Sequence, residues 1–355
     1  MKKLIALFLM LVMCVSLMAG CGTAKTPAPA PADTPAESPA EAPAVEPAED
    51  GKVSQPGGYP NGTIDFVVPA AAGALVDLDV RAMKDAVDLG TSSISVTNMP
   101  GASQTIGLTE VFNRKADGQT LAATAIAGMV CQPLLGNTEY TAEDFRHIAF
   151  LTSFEQVALI SSKNSGITSF DDLVAKLKNG DEVLFTSSNA GAIAHLAMLS
   201  ICDQMDLPIP TYVSYSGSAE VMNAVLSGNV DIAINDVSVI SKYYGTDELN
   251  ILLTITEEVC EKMPEIPYAS QYGLENMKSF TSPVWVVVKK ETPDEIVEWV
   301  KQQINEATMS EAYQTYLETT GLLPYTEAAS EDEVTAFVYA TRDIYGELYE
   351  KYFNQ

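Results

Sequence analysis

The sequence predicts an α/β fold that is divided into two domains. Short runs rich in β-branched and aromatic residues alternate with stretches of helical periodicity, and this alternation is typical of α/β proteins. The folded part holds about 300 residues, which exceeds the usual size of one domain. We therefore expect two domains, each built around a mainly parallel sheet.

Seven segments are predicted as strands because they are short, apolar and rich in β-branched residues. In chain order they are Ile64–Val68, Ile94–Val96, His147–Leu151, Val157–Ile160, Val183–Phe185, Val230–Ile234 and Trp285–Val288. Capping boxes that begin at Ser169, Thr292 and Ser330 predict three helix starts between or after these strands. The last box leads into apolar residues at three- and four-residue spacing, so we expect a long C-terminal helix.

Residues 1–20 predict an export signal. Lys2 and Lys3 form a short basic start, residues 4–17 are almost wholly apolar, and small residues then lead to Cys21. This arrangement resembles a bacterial lipoprotein signal peptide, which is cleaved before a cysteine that carries lipid. We therefore expect Cys21 to anchor the protein to the outer face of the cytoplasmic membrane. The alternative is an uncleaved transmembrane anchor, since the apolar run is close to the minimum length for a span.

Residues 21–58 predict a tether between this anchor and the folded body. The segment holds 8 of the 19 prolines but hardly any large apolar side chain. It cannot bury enough apolar surface to offset the entropy of ordering its backbone. Proline also keeps such a chain extended, so the tether would give the body reach from the membrane.

The composition excludes several classes of function. The chain has 47 Asp and Glu against 20 Lys and Arg, and its net charge of −27 would repel nucleic acid. Only His147 and His195 are present, and no metal, phosphate-loop or catalytic-triad motif occurs. We therefore expect no cofactor, no metal and no catalytic residue. Cys131, Cys202 and Cys260 are expected to be buried thiols, with at most one disulfide among them.

Three loops that follow predicted strands are rich in small residues and lead into helices. They are Pro69–Asp77, Thr186–Gly191 and Ser214–Ser218. Ligands of α/β folds bind at the carboxyl ends of parallel strands, where helix N-termini can hold an anion without a cation. The three loops together predict a carboxylate site. The same residue types also cap helices for stability alone, and any single loop of this kind is more often a cap than a site.

The order of the motifs along residues 59–355 resembles one known family. The motifs are Tyr59-Pro60, Val67–Gly73 with Asp77 and Arg81, Asn98–Ala102, Ala116–Leu121, Tyr140 with Asp144-Phe145, Thr168–Leu173, Ser187–Gly191 with His195-Leu196, Val213–Ala219, Gly228–Asp231 with Asn235-Asp236, and Ile266-Pro267 with Tyr272–Leu274. The succession resembles the extracytoplasmic substrate-binding proteins of tripartite tricarboxylate transporters. No single motif is decisive, but ten in the same order are difficult to obtain by chance.

The resemblance implies a two-lobed clamshell similar to type II periplasmic binding proteins. One lobe would contain residues 59–161 and 283–355, and the other residues 162–282, with Val157–Ser161 and Val284–Lys289 crossing between them as hinge strands. The implied activity is binding rather than catalysis. A monomer would capture a small carboxylate between its lobes and deliver it to the permease subunits in the membrane.

The resemblance also implies ligand-binding residues in each lobe. They are Ala71, Ala72, Gly73, Thr124 and Ala125 in the first lobe, and Ser187, Ser188, Asn189, His195, Tyr215, Ser216, Gly217, Ser218, Asn235 and Asp236 in the second. His195 could equally be a packing residue, and Asp77 is expected to support its loop rather than contact ligand. The chain departs from the family pattern where Ala74 and Leu75 replace glycines and where Ser103 and Gln104 replace a Gly-Gly pair.

Two other functions stay open at this point. The liganded protein could signal to a membrane sensor instead of serving a permease. An extracytoplasmic hydrolase using Ser188 or Ser216 would need a base beside the serine, and the chain offers only two imidazoles for that task. The site loops contain no cation, which suits mono- and dicarboxylates about equally and disfavours tricarboxylates.

Overall fold

The structure is a computed structural model that describes residues 53–89, 92–152, 156–215, 217–320, 322 and 327–353. The predicted signal peptide, the predicted lipid attachment at Cys21 and most of the predicted tether lie outside these residues. Within the described ranges, no helix combines the length and the apolar character that crossing a bilayer requires.

The first sheet has five strands in the order β2-β1-β3-β10-β4. They are β1 (Thr63–Val68), β2 (Ser93–Asn98), β3 (Thr120–Thr124), β4 (Phe145–Phe150) and β10 (Trp285–Lys289). Strand β1 pairs in parallel with β2 and β3, whereas β10 runs antiparallel to both β3 and β4. Four strands therefore share one direction and β10 opposes them.

The second sheet repeats this plan in the order β7-β6-β8-β5-β9. Its strands are β5 (Val157–Ser162), β6 (Leu184–Thr186), β7 (Thr211–Tyr212), β8 (Ile232–Asp236) and β9 (Leu249–Thr254). Strand β6 is parallel to β7 and β8, and β5 is antiparallel to β8 and β9. The predicted α/β fold with one mainly parallel sheet in each of two lobes is confirmed.

Helices connect the strands and cover the sheets. They are α1 (Leu75–Ala86), α2 (Thr105–Asn113), α3 (Gln132–Leu134), α4 (Phe170–Asn179), α5 (Ile193–Gln204), α6 (Ser218–Ser227), α7 (Val237–Ile240), α8 (Asp294–Thr308), α9 (Glu311–Thr320) and α10 (Glu331–Tyr352). A π-helical turn, Ala127–Cys131, precedes α3. The first lobe is the part built on the first sheet, and the second lobe is the part built on the second sheet.

Each chain crossing between the lobes enters a sheet through its antiparallel strand. Strand β5 belongs to the second sheet and β10 to the first, which differs from the expectation that Val157–Ser161 end the first lobe. The two crossings are hydrogen-bonded to each other. Leu151 N–H donates to the Val284 carbonyl (2.7 Å), and Val284 N–H donates to Thr152 Oγ1 (2.8 Å).

The described apolar residues form three buried clusters. One lies between the first sheet and helices α1, α8 and α9, and another between the second sheet and α6. The largest includes residues of both sheets and of helices α5 and α10. The three described cysteines, Cys131, Cys202 and Cys260, are buried and free, as predicted for thiols that serve packing.

Two of the three predicted capping boxes form. Ser169 accepts from Asp172 N–H at the start of α4, and Ser330 accepts from Glu333 N–H at the start of α10. The box predicted at Thr292 is wrong, because α8 begins at Asp294 with the extended Pro293 as its N-cap. The Oγ1 of Thr292 consequently has no partner among the described residues.

Candidate functional site

A cavity of about 700 Å³ lies between the two lobes. Its walls follow the carboxyl ends of β2, β3, β6 and β8, which is where an α/β fold is expected to bind a ligand. The described lining residues are Ser103, Ala127, Cys131, Gln132, Leu135, Val157, Ser188, Asn189, Ala190, Gly191, Ala192, Ile193, Ala194, Asp236, Ser282, Tyr349 and Phe353. The volume is within the usual range for small-molecule sites.

The lining of this cavity carries no basic side chain among the described residues. Asp236 is the one carboxylate there, at the end of β8. Ser218 Oγ donates to its Oδ2 (3.3 Å), and its backbone N–H donates to Asn235 Oδ1 (2.9 Å). An anion in this cavity must therefore be held by N–H and O–H donors rather than by a cation.

The N-terminus of α5 supplies such donors. Its N-cap is Ala192, which has no side-chain oxygen, and the first turn contains no acidic residue. The N–H groups of Ile193 and Ala194 have no acceptor among the described residues, and both residues line the cavity. Helix N-termini carry about half a positive charge and bind anions through such N–H groups. Unlike the serine-capped helices α4 and α10, this helix start has no side-chain cap.

Hydrogen bonds of Ser187 and Ser188 shape the loop that leads into α5. Ser187 is fully buried and its Oγ donates to the Asn189 carbonyl (3.3 Å), so its hydroxyl turns into the loop. Gly217 N–H donates to the Ser188 carbonyl (3.1 Å), which joins this loop to the start of α6. Of the three predicted residues in the loop, Ser188 and Asn189 line the cavity and Ser187 supports them.

His195 holds the same loop from behind. Gly191 N–H donates to its Nδ1 (2.9 Å), and its ring stacks on Tyr212 with centroids 4.2 Å apart. Burial lowers the pKa of His195 to about 4, so the imidazole is neutral at pH 7. Because Nδ1 accepts this backbone N–H and the ring is packed between aromatic neighbours, His195 is a positioning residue rather than part of the described cavity lining.

The predicted residues after β7 and in β8 divide between support and lining. Asn235 Nδ2 donates to the Ser218 carbonyl (3.1 Å), and Tyr215 packs against the core beneath α6. Gly217 is the N-cap of α6 with φ +82°. Ser218 and Asn235 thus position Asp236, whereas Tyr215 and Gly217 belong to the packing and the start of α6. Ser216 lies outside the described residues.

The first predicted loop, Ala71–Gly73, is held by an internal carboxylate. Gly73 N–H donates to Asp77 Oδ2 (2.7 Å), Arg81 Nε donates to the same oxygen (2.9 Å), and Asn98 Nδ2 donates to Oδ1 (2.8 Å). The hydrogen bond from Arg81 is the largest of the effects that lower the pKa of Asp77 to about 2. Asp77 thus supports its loop, as the sequence led us to expect. Ala71, Ala72 and Gly73 are exposed and are not among the cavity-lining residues described.

The predicted first-lobe donors Thr124 and Ala125 already have an acceptor inside the chain. Ala125 N–H donates to Gln104 Oε1 (3.1 Å), and Thr124 Oγ1 donates to the same oxygen (3.3 Å). Ala102, Ser103 and Gln104 have φ values of 45°, 53° and 79°. That left-handed backbone is disfavoured for residues with a Cβ, which agrees with the expectation of glycines at two of these positions.

The C-terminal helix reaches the site, a role that sequence reasoning missed. Tyr349 Oη donates to the Gly191 carbonyl (2.7 Å), and both Tyr349 and Phe353 line the cavity. We expected this helix to serve packing. The available signal was the four-residue spacing of Tyr345, Tyr349 and Phe353, which continues an aromatic face to the end of the helix. Cys131, Gln132 and Leu135, which follow β3, were also missed.

No group of three or more His, Cys, Asp or Glu side chains that could hold a metal ion occurs in the described parts of the chain. The site described above is therefore built from backbone donors, hydroxyl and amide groups, one carboxylate and apolar surface.

Comparison with known proteins agrees with this architecture. Residues 81–351 match the model of a family described as tripartite tricarboxylate transporter family receptor. A TctC solute-binding protein from Polaromonas, solved without ligand, is 23% identical with a TM-score of 0.74, and the match covers 82% of this chain and 99% of that one. MatC from Rhodopseudomonas palustris, solved with bound malate, is 20% identical with a TM-score of 0.59, covering 81% and 100%. A further Rhodopseudomonas palustris protein, solved with adipate, is 20% identical with a TM-score of 0.58, covering 82% and 97%. These similarities show the two-lobed fold of periplasmic binding proteins.

Proposed function

Because the chain belongs to the family of tripartite tricarboxylate transporter receptors, we propose that it is an extracytoplasmic receptor that captures a small carboxylate between its two lobes. The observation that carries this proposal is the open N-terminus of α5, where the N–H groups of Ile193 and Ala194 border a cavity without a basic side chain. A carboxylate would complete this helix as an N-cap side chain completes others. The malate and adipate held by two proteins of the same fold support this ligand class.

The predicted ligand-binding residues take different roles in this proposal. Ser188 and Asn189 contact the carboxylate beside the α5 N-terminus, and Asp236 accepts a hydroxyl or N–H group of the ligand. Ser187, His195 and Asn235 hold these contacts in place through the hydrogen bonds described above. Among the described residues no base contacts Ser188, and we expect the ligand to be released unchanged.

The receptor would act at the membrane. In our proposal residues 1–20 direct export, Cys21 carries lipid, residues 21–58 form the tether, and the two lobes close on the ligand as one monomer. The closed form delivers the carboxylate to the permease subunits. Replacing Cys21→Ser should abolish the incorporation of labelled palmitate into the protein, and unchanged incorporation would contradict lipid attachment at Cys21.

The binding activity can be tested by titrating the full chain in mild detergent with butyrate, succinate, malate, adipate, citrate and benzoate. We expect one equivalent to bind, a rise in the melting temperature, and recovery of the unchanged acid by mass spectrometry. A ligand at 100 times its dissociation constant adds about 2.7 kcal/mol to the free energy of unfolding. The absence of binding across this series, with no acid released on denaturation, would refute the proposal.

A substitution at the α5 N-cap tests the observation itself. Ala192→Asp places a carboxylate where the ligand is proposed to bind, and an Asp N-cap typically stabilises a helix by about 1 kcal/mol. We expect the variant to melt at a higher temperature and to lose carboxylate binding. Ser169→Asp at the N-cap of α4 is the matched control, because it adds the same charge at a helix start outside the described cavity lining. Equal carboxylate binding by Ala192→Asp and Ser169→Asp would show that the ligand does not bind at the α5 N-terminus.

A further inference from the structure

The side chain of Gln104 accepts hydrogen bonds from two donors at the end of β3, beside the cavity wall. Thr124 Oγ–H and Ala125 N–H stand at the carboxyl end of β3, next to Ala127 of the cavity wall, and both donate to Gln104 Oε1. The amide oxygen is an sp² acceptor like one oxygen of a carboxylate. The Gln104 amide oxygen therefore takes the place that an oxygen of the ligand's second carboxylate would take.

The backbone around Gln104 is built to hold this arrangement. Three successive residues with a Cβ, Ala102 to Gln104, adopt positive φ, a conformation that persists only where surrounding contacts over-determine it. Gly128 provides the room, because a Cβ there would lie 2.6 Å from Gln104 Cβ and 2.8 Å from its Oε1. Gly128 belongs to the π-helical turn Ala127–Cys131, and such turns occur frequently at functional sites.

The two walls of the cavity consequently differ. The second lobe leaves the α5 N–H groups of Ile193 and Ala194 open, whereas in the first lobe Asp77 accepts from Gly73 N–H ahead of α1 and Gln104 accepts from the donors at the end of β3. The described lining also contains Asp236, which disfavours a second negative charge nearby. A ligand therefore meets free N–H donors at the α5 start of the second lobe, whereas the donors at the end of β3 in the first lobe already have an acceptor.

From this asymmetry we propose that Gln104 is a specificity-determining residue that fills the second anion subsite, so that the receptor prefers monocarboxylates to dicarboxylates of the same length. The proposal rests on the proposed function and narrows its substrate class. The uncharged end of the ligand lies toward the first lobe, near Leu135 and Ala127, and its carboxylate lies at the α5 N-terminus.

The test compares matched acids on the full chain in mild detergent by titration calorimetry. Butyrate and succinate differ by one carboxylate at four carbons, and hexanoate and adipate differ in the same way at six. Wild type is expected to bind the monocarboxylate of each pair at least tenfold more tightly. Gln104→Gly frees the two donors and is expected to raise dicarboxylate affinity at least tenfold, with little change for the monocarboxylates.

Two further variants separate this role from a merely structural one. Ala102→Gly inserts a glycine into the same left-handed turn but keeps the Gln104 side chain, so it should leave the preference unchanged. Thr124→Val should remove the dicarboxylate gain in the Gln104→Gly background, because the Thr124 hydroxyl, one of the two released donors, is then absent. A preference that is the same in wild type and Gln104→Gly would overturn the role of Gln104 and leave the receptor function intact. Failure of every acid to bind either protein would overturn both.

Discussion

His147 should make the stability of the protein depend on pH in the range where few other groups titrate. The imidazole is fully buried in β4, with Nε2 hydrogen-bonded to the Ala142 carbonyl (3.0 Å) and Trp285 Nε1 donating to Nδ1 (3.1 Å). Burial lowers its pKa from 6.5 to about 4. Protonation would place a charge in the core and remove the acceptor for Trp285, so the folded state favours the neutral ring.

The sign and size of the effect follow from this difference. The unfolded chain takes up a proton near pH 6.5 and the folded chain near pH 4, so this contribution is complete above about pH 6.5 and is lost as the pH falls toward 4. Between pH 7 and pH 5 the loss is about 2 kcal/mol for this one group. With the average unfolding entropy per residue, about 2 kcal/mol corresponds to about 3 °C in a folded body of about 300 residues.

The assay is thermal unfolding of the ligand-free full chain at pH 7 and pH 5, compared with His147→Gln. Glutamine offers one donor and one acceptor but does not titrate. The carboxylates titrate alike in both proteins and cancel in the comparison, so the melting temperature of the variant should fall about 3 °C less on acidification. His195→Gln should behave similarly, because burial also lowers the pKa of His195 to about 4. An equal fall in wild type and His147→Gln would refute the reasoning.

Three further predictions concern the site and its supports. Tyr349→Phe removes the hydrogen bond to the Gly191 carbonyl and should weaken carboxylate binding about fivefold, measured by calorimetry. The control Tyr59→Phe loses a hydrogen bond to the Gly118 carbonyl and should not weaken binding. Equal effects of the two variants would refute a role for Tyr349 in holding the loop. Asp77→Asn should lower the free energy of unfolding by about 1–3 kcal/mol at pH 7, measured in urea. The difference should shrink as the pH falls from 3.8 toward 2, because Asp77 of the unfolded chain takes up a proton near pH 3.8 and that of the folded chain only near pH 2. A variant as stable as wild type at pH 7 would contradict the supporting role. Citrate should bind more weakly than succinate, because the described cavity lining has no cation, and the reverse order in titration would contradict that electrostatic argument.

The fold was predictable because its signals are local. Buried β-rich runs such as Ile64–Val68 and capping boxes such as that at Ser169 specify elements without help from the rest of the chain. Strands β3, β7 and β9 were not among the seven predicted segments. The Ala-rich segment Thr120–Thr124 is a strand because β1 and β10 pair with both of its edges, and Leu249–Thr254 contains leucines that suit a helix as well.

The site was predictable only in part. Ser188, Asn189 and Asp236 follow strands directly, so the rule for α/β folds places them at the cavity. Tyr349 and Phe353 reach it from the end of α10, which a pattern along the chain cannot reveal. The side-chain bonds of Gln104 to Thr124 and Ala125 join residues about 20 positions apart, and they depend on a left-handed backbone that the residue types disfavour.

Helix α10 links the two lobes in addition to the two chain crossings, and it limits how the lobes can move. Two adjacent crossings, joined at Thr152 and Val284, form a joint that can both bend and twist. Helix α10 packs against β4 of the first lobe, while Tyr349 and Lys351 at its end bond to Gly191 and Asp203 of the second. A joint fixed at a third point away from its axis loses one degree of freedom. We therefore expect opening to require release of the end of α10 or unwinding of its last turn, so that the C-terminal helix, rather than the strands between the lobes, sets the rate of ligand exchange.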